Sequence, residues 1–249
     1  MDRLDLFPVS TKIENDRLTI AGHDLASLAD RYLTPLYMYD RATLDLSAKA
    51  YTDALSAHYP APSHITYAGK AFLCKAIAAW TQTHGFLVDC TGQGEIAIAV
   101  AAGVPREHIL VHGVNKSLDD LKSAIQHAGT IVIDNLTELK RVASQTSKVE
   151  GQTSLVTHTP SLWLRLLPGV AVHTHHVATQ TGQHDSKFGM TREEMLEAAF
   201  YYEQRSGGLG RDFLRKVQNA VDEIVQHPTR WPKVRGNIRR RMIHRFPYA

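Results

Sequence analysis

HILVHGVNKSLDDLKSAIQHAGTIVIDN, residues 108–135, decides the fold. Two short apolar runs, Ile109-Leu110-Val111 and Ile131-Val132-Ile133, flank SLDDLKSAIQHAG, an amphipathic helical stretch. Runs this short, rich in β-branched residues and bounded by turn residues, read as buried strands. A strand, a helix and a second buried strand form a βα repeat, and repeats of this kind build parallel sheets.

The alternation extends both ways. HITYAG leads to FLCKAIAAWTQTHG, FLVDC to GEIAIAVAAG and TIVIDN to TELKRVASQ, and LWLRLLPG follows a polar stretch. The repeat is about 22 residues long, which fits either a (β/α)8 barrel or an open doubly wound sheet. The polar residues separate the two. Lys70 ends the first run, Asp89 the second, His112 with Asn115 and Lys116 the third, and Asp134 with Asn135 the fourth; Arg165 lies in the fifth. Open sheets gather their ligand at one switch point, whereas barrels draw chemistry from the carboxyl end of every strand. Convergence from five strands favours the barrel. Asp134-Asn135 before ELKRV also reads as helix N-cap chemistry.

Lys70 stands in ITYAGKAF, residues 65–72, at the end of a β-branched and aromatic run. An amine delivered to the rim of an apolar interior loses hydration, which disfavours its charged form and leaves a nucleophile for aldehydes. The plainer reading is a lysine with its stem on the core and its head in water.

The 249 residues are 43% apolar and 21% charged, ordinary values for a globular chain with a sizeable core. The start, MDRLDLFPVSTKIEND, has no apolar leader, and IAIAVAAGV (96–104) is too short to span a bilayer, so a cytoplasmic location is expected. Cys74 and Cys90 form no CxxC pair and imply no disulfide framework. Residues 1–204 hold 17 basic and 22 acidic side chains, whereas 205–249 hold 11 and 3. A basic tail such as RGNIRRRMIHR would suit phosphate backbones, or simply form a solvated face.

Six motifs occur in order: TPLYMYD (34–40), YAGKAF (67–72), VDCTGQGEI (88–96), HGVNKS (112–117), LRLLPG (164–169) and TQTGQHDSKFGM (179–190). With this order and spacing, residues 5–197 resemble the front half of the diaminopimelate decarboxylases, pyridoxal-phosphate enzymes of the alanine-racemase-like barrel class. The resemblance implies pyridoxal 5′-phosphate as cofactor and an amino-acid substrate, meso-diaminopimelate, decarboxylated to L-lysine. It makes Lys70 the residue that condenses with the cofactor aldehyde, Asp89 the acid facing that lysine, and Arg165 the arginine near the cofactor ring. Ser186-Lys187-Phe188-Gly189 would precede the family's central histidine strand.

After residue 190 the family's stacking histidine, glycine-rich phosphate loop, pyridine-nitrogen acid and β domain are not found. Residues 197–249 instead resemble the middle of a RelE/ParE-type toxin, through Tyr201, Gly208, Leu209, Gly210, Phe213, HPTRWP (227–232) and HRFPYA (244–249). The expected architecture is α/β: an N-terminal segment of the decarboxylase β domain (1–40), a partial pyridoxal-phosphate-binding (β/α)8 barrel of about five βα units (41–196), and a helical hairpin with a basic tail (197–249). Impaired turnover follows from that inventory, and the open barrel edge implies a homo-oligomer or aggregation. A nucleic-acid- or ribosome-binding module, or a gene fusion without function, is the alternative.

Three local patterns point to other chemistry. SGGLG (206–210) lies between helical stretches and reads as a hairpin turn rather than a phosphate loop. HTHH (173–176) with His184 lacks carboxylate or thiolate partners at ligand spacing, so no metal is expected. GQG (92–94) is too short for a dinucleotide fingerprint and is expected to start a helix at Glu95.

Overall fold

The computed structural model describes residues 4–149, 159–167, 189–205, 207–227, 230, 233–235 and 238–239. The histidines at 173–176, His184, Ser186–Phe188 and the tail beyond 239 lie outside them. The chain forms two compact units, residues 1–65 and 66–249.

In the first unit, β1 (Thr11–Glu14), β2 (Arg17–Ile20) and β3 (His23–Asp24) form an antiparallel meander. Asn15 and Asp16, with φ of 53° and 59°, make the two-residue turn between β1 and β2, the positive-φ geometry that matches strand twist. Helix α1 (Leu25–Tyr32) is capped by Asp24, whose carboxylate accepts the Ser27 N–H at 3.1 Å. Helix α2 (Arg41–His58) is capped by Asp40, which accepts from Thr43 N–H at 2.9 Å and from the Ser10 hydroxyl at 2.8 Å.

The second unit carries the βα repeats. Strands β4 (Thr66–Ala68), β5 (Leu87–Cys90), β6 (Ile109–Val111), β7 (Thr130–Ile133) and β8 (Ser161–Leu164) form one parallel sheet in chain order. Helices α3 (Lys75–Thr83), α4 (Gln93–Ala101), α5 (Leu118–His127) and α6 (Leu136–Val149) connect them. An order that never reverses, joined by right-handed crossovers, places every connecting helix on the same face. This is the winding of a barrel, as expected, and it has no switch point.

Strand register shows why the sheet is apolar on both faces. Val88 is matched with Ile109, Cys90 with Val111, Val111 in turn with Ile131, and Ile133 with Leu164. These residues form a fully buried layer with Ala78, Ile96, Ala99, Leu121, Ala124 and Leu139 of the helices. Each large aliphatic side chain so buried contributes about 1.5–3 kcal/mol.

Beyond β8, Met190 bridges Leu166 in parallel, and α7 (Arg192–Arg205) follows, unbroken across residue 196. Gly207 and Gly208 turn the chain into α8 (Leu209–Gln226), the hairpin expected from SGGLG. Gly208 has φ of 87°, and a Cβ on Gly210 would lie 2.1 Å from the Ala199 carbonyl oxygen, so the two helices meet backbone to backbone. Glu203 of α7 caps α8 by accepting from Gly208 N–H at 2.7 Å and Arg211 N–H at 3.1 Å. These backbone donors, Gly208 first, hold its carboxyl below the ordinary range. Strands β9 (Lys233–Arg235) and β10 (Ile238–Arg239) pair antiparallel.

Candidate functional site at the carboxyl edge of the sheet

Alternation along a strand sends neighbouring side chains to opposite faces, and parallel partners share a face. With Val88, Ile109, Ile131 and Leu164 facing the helices, the inner face takes Leu87 and Asp89, Leu110 and His112, Val132 and Asp134, and Trp163 and Arg165. The inner face is thus apolar in mid-sheet and polar at its carboxyl edge. The ladder continues to His112 and Arg165, whose N–H groups donate to Cys90 and Ile133 carbonyls at 2.8 and 2.9 Å.

Lys70 follows β4 in a tight 3-10 turn, Gly69–Ala71. A side chain at Gly69 would place its Cβ 2.6 Å from the Asp89 carbonyl oxygen, so only glycine lets the turn lie against β5. The Tyr67 hydroxyl donates to the Phe72 carbonyl at 2.7 Å and closes the turn. Lys70 itself is exposed, which corrects the expectation of a desolvated amine. The turn lifts the residue off the strand before the inner face can bury it. Among the described residues no acid pairs with it; Asp89 faces His112 instead, Oδ2 to Nδ1 at 3.8 Å. The other Asp89 oxygen is buried with no hydrogen-bond partner among the described residues. Next to it, burial pushes the Cys90 thiol up to about 12, with the Glu95 and Asp89 charges adding to the effect.

Asp134 was expected to share N-cap duty with Asn135. Asn135 alone caps α6, its side-chain oxygen accepting Glu138 N–H at 2.9 Å. Asp134 turns to the inner face, where Arg165 Nη1 lies 3.5 Å from its Oδ1. Lys116 also departs from expectation. It leaves the strand edge and is fully buried, pairing with Glu138 through Nζ at 2.9 Å. Glu138 accepts Lys116 N–H at 3.0 Å and Asp134 N–H at 3.1 Å as well, so one carboxylate fastens the loop after β6 to the loop after β7. Sequence reading passed over Glu138 as one more helical residue. Its signal is the Asn-x-x-Glu spacing of a capping motif.

The same device recurs along the edge. Glu95 accepts from Thr91 N–H at 2.6 Å, and Asp120 from Ser117 N–H at 2.9 Å and Gln93 N–H at 2.8 Å. Burial raises the Asp120 carboxyl, but hydrogen bonds from the Ser117 hydroxyl and the Gln93 and Ser117 N–H groups, with the Lys116 charge, bring it below the ordinary range. Gly92 is the N-cap and α4 begins at Gln93, two residues before the expected Glu95. The loops that present the site are therefore fixed by acids in the first turns of the helices behind them.

The site thus gathers an exposed lysine, buried carboxylate oxygens without donors among the described residues, a histidine and an arginine at one edge. Residues 44–207 match the family described as "Pyridoxal-dependent decarboxylase, pyridoxal binding domain". The chain belongs to this family.

The family match takes in all of α7 and runs into the hairpin turn. Relatives include a diaminopimelate decarboxylase of Bacillus subtilis, 39% identical over 74% of this chain and 40% of that protein. A Synechocystis protein of the same name is 34% identical over 80% of this chain and 42% of its own length. The chain therefore spans about two fifths of these curated relatives. Among solved structures, diaminopimelate decarboxylase from Helicobacter pylori complexed with L-lysine superposes with a TM-score of 0.61 at 24% identity, covering 74% of this chain and 44% of that one. Diaminopimelate decarboxylase from M. jannaschii in co-complex with L-lysine gives 0.60 at 24%, over 78% and 44%. At that identity the superpositions establish the fold. The likeness read from six motifs is borne out, and no helix of the described residues is long and apolar enough to cross a membrane.

Proposed function

We propose that this chain binds pyridoxal 5′-phosphate through Lys70 and serves the decarboxylation of an amino acid, with meso-diaminopimelate as substrate and L-lysine as product. The observation that carries the reading is the meeting of Lys70, Asp89, His112, Asp134 and Arg165 at the carboxyl edge of a sheet whose sequence belongs to a pyridoxal-binding family. The substrate comes from the names of the relatives.

The residues present fit the cofactor. The Lys70 amine is exposed and reachable by an aldehyde. Asp89 Oδ1 is a buried acceptor with no donor among the described residues, and Arg165, facing Asp134, supplies positive charge for an anionic oxygen. Bound there, pyridoxal phosphate would supply the electron sink for the carbanion left by loss of carbon dioxide. The chain's own share is positional. Gly69 sets the Lys70 turn against β5, Glu138 fixes the two loops beside His112 and Asp134, and apolar Leu110, Val132 and Trp163 floor the site and keep water from beneath it.

The test is borohydride reduction of the full chain with pyridoxal phosphate, followed by peptide mapping. One pyridoxyl label, on Lys70, is expected, and none in Lys70→Ala. Labels spread evenly over other lysines would refute the assignment. The substrate is tested on the loaded chain by visible absorbance: meso-diaminopimelate is expected to change the spectrum at concentrations where ornithine and arginine do not.

A further inference from the structure

Asp134 ends β7 on the inner face with its side chain 2% exposed, and neither of its oxygens receives a hydrogen bond from a described residue. Buried carboxylates are ordinarily held by donors, because an ionised oxygen without one loses its hydration uncompensated. Nothing among the described residues accounts for this one. Helix capping is complete in Asn135, and the loop clamp is complete in Lys116 and Glu138, which takes the Asp134 backbone but not its side chain.

What faces the carboxylate is Arg165, 29% exposed and standing at the end of the neighbouring strand. At 3.5 Å the two attract as charges with no hydrogen bond between them. Asp134 therefore fixes where the guanidinium sits and leaves that guanidinium's donors to other partners. We infer that Asp134 is a positioning residue, which aims Arg165 at an anionic oxygen of the ligand held at the carboxyl edge. Asp134 lies behind Arg165 in burial, so it acts through the arginine rather than by touching the ligand. The inference rests on the proposed cofactor reading for the ligand's identity, and on the ion pair alone for the geometry.

A double-mutant cycle on the full chain tests it, with Asp134→Asn, Arg165→Gln and the double variant titrated with pyridoxal phosphate by absorbance. Each single change is expected to weaken binding about tenfold or more, as loss of one partner of a desolvated pair does. The double variant is expected to bind within about twofold of the weaker single, since a residue acting through another costs nothing once that other is gone. Losses that multiply, or an Asp134→Asn chain that binds like the parent, would overturn the inference. A second readout needs no cofactor: the Arg165 Nε–H resonance of the unliganded chain is expected to shift in Asp134→Asn, and an unmoved resonance overturns the inference. Should the parent fail to take pyridoxal phosphate, the cofactor reading falls and the resonance alone decides the pair. If Asp134→Asn does not fold, Asp134→Ser is read in its place by the same two measurements.

Discussion

Replacing Glu138 by alanine removes one carboxylate and strands three donors. Lys116 Nζ, Lys116 N–H and Asp134 N–H all point to it, at 2.9, 3.0 and 3.1 Å, and the pair's side chains are 0% and 2% exposed. Leaving one member of a buried pair uncompensated costs about 3–5 kcal/mol. Each buried N–H without an acceptor adds about 1–3 kcal/mol, less whatever water entering the gap restores. We expect a loss of about 4 kcal/mol or more, a large part of the stability of a domain that has about 5–15 kcal/mol in all. Lys116→Met should cost less, because the carboxylate keeps both backbone donors. Adding Glu138→Gln to it should recover part of the loss, since the amide keeps an acceptor oxygen and no charge is left buried. Urea denaturation followed by the fluorescence of Trp80 and Trp163, both in the sheet unit, reads the series. A Glu138→Ala chain within about 1 kcal/mol of the parent, or a Lys116→Met chain weaker than it, would show that the clamp does not hold the edge together.

Gly113→Ala would set a Cβ 1.9 Å from the Thr91 carbonyl oxygen, so the loop after β6 must shift; the variant should lose pyridoxal phosphate affinity with Lys70 intact, and an unchanged titration would count against the proposed site. The Thr43 and Ser10 hydroxyls and nearby N–H groups hold the Asp40 carboxyl below its ordinary 3.8, so its contribution is present above that pH and fades as pH falls through the lowered folded value. Asp40→Ala should accordingly cost about 1 kcal/mol near neutrality and little in acid, as paired melts would reveal. Native alkylation at pH 8 should mark Cys74, partly exposed, and spare Cys90, whose thiol sits near 12; rapid labelling of both would contradict the buried layer.

The sheet is legible in sequence because both its faces are covered. Ile109, Leu110 and Val111 are all buried, so β6 reads as an unbroken apolar run. Asp89, Asp134 and Arg165 stand out as charges at the ends of such runs. Lys116 looks the same on paper and behaves otherwise, because its partner Glu138 lies 22 residues away and long-range pairing leaves no local mark. Lys70 is legible as a strand-end lysine, but its exposure depends on the turn that Gly69 makes against β5. The two glycines 207 and 208 foretell the α7–α8 hairpin; a pair of helices suits both a barrel's outer layer and a toxin-like segment, so it discriminates neither.

The alternation along β5 to β8 separates two kinds of change. Residues facing the helices answer to volume and shape, and those one step away, toward the carboxyl ends, answer to the proposed ligand. A change at Asp89, His112 or Arg165 would therefore leave the methyl groups of the layer beneath undisturbed. The freedom has a strict boundary. Inserting or deleting one residue in any of these strands would trade the two sets, sending isoleucines into the site and charges into the layer that joins sheet to helices. Drift in this half-barrel should proceed by substitution within the strands, with length variation confined to the loops on the side away from the ligand.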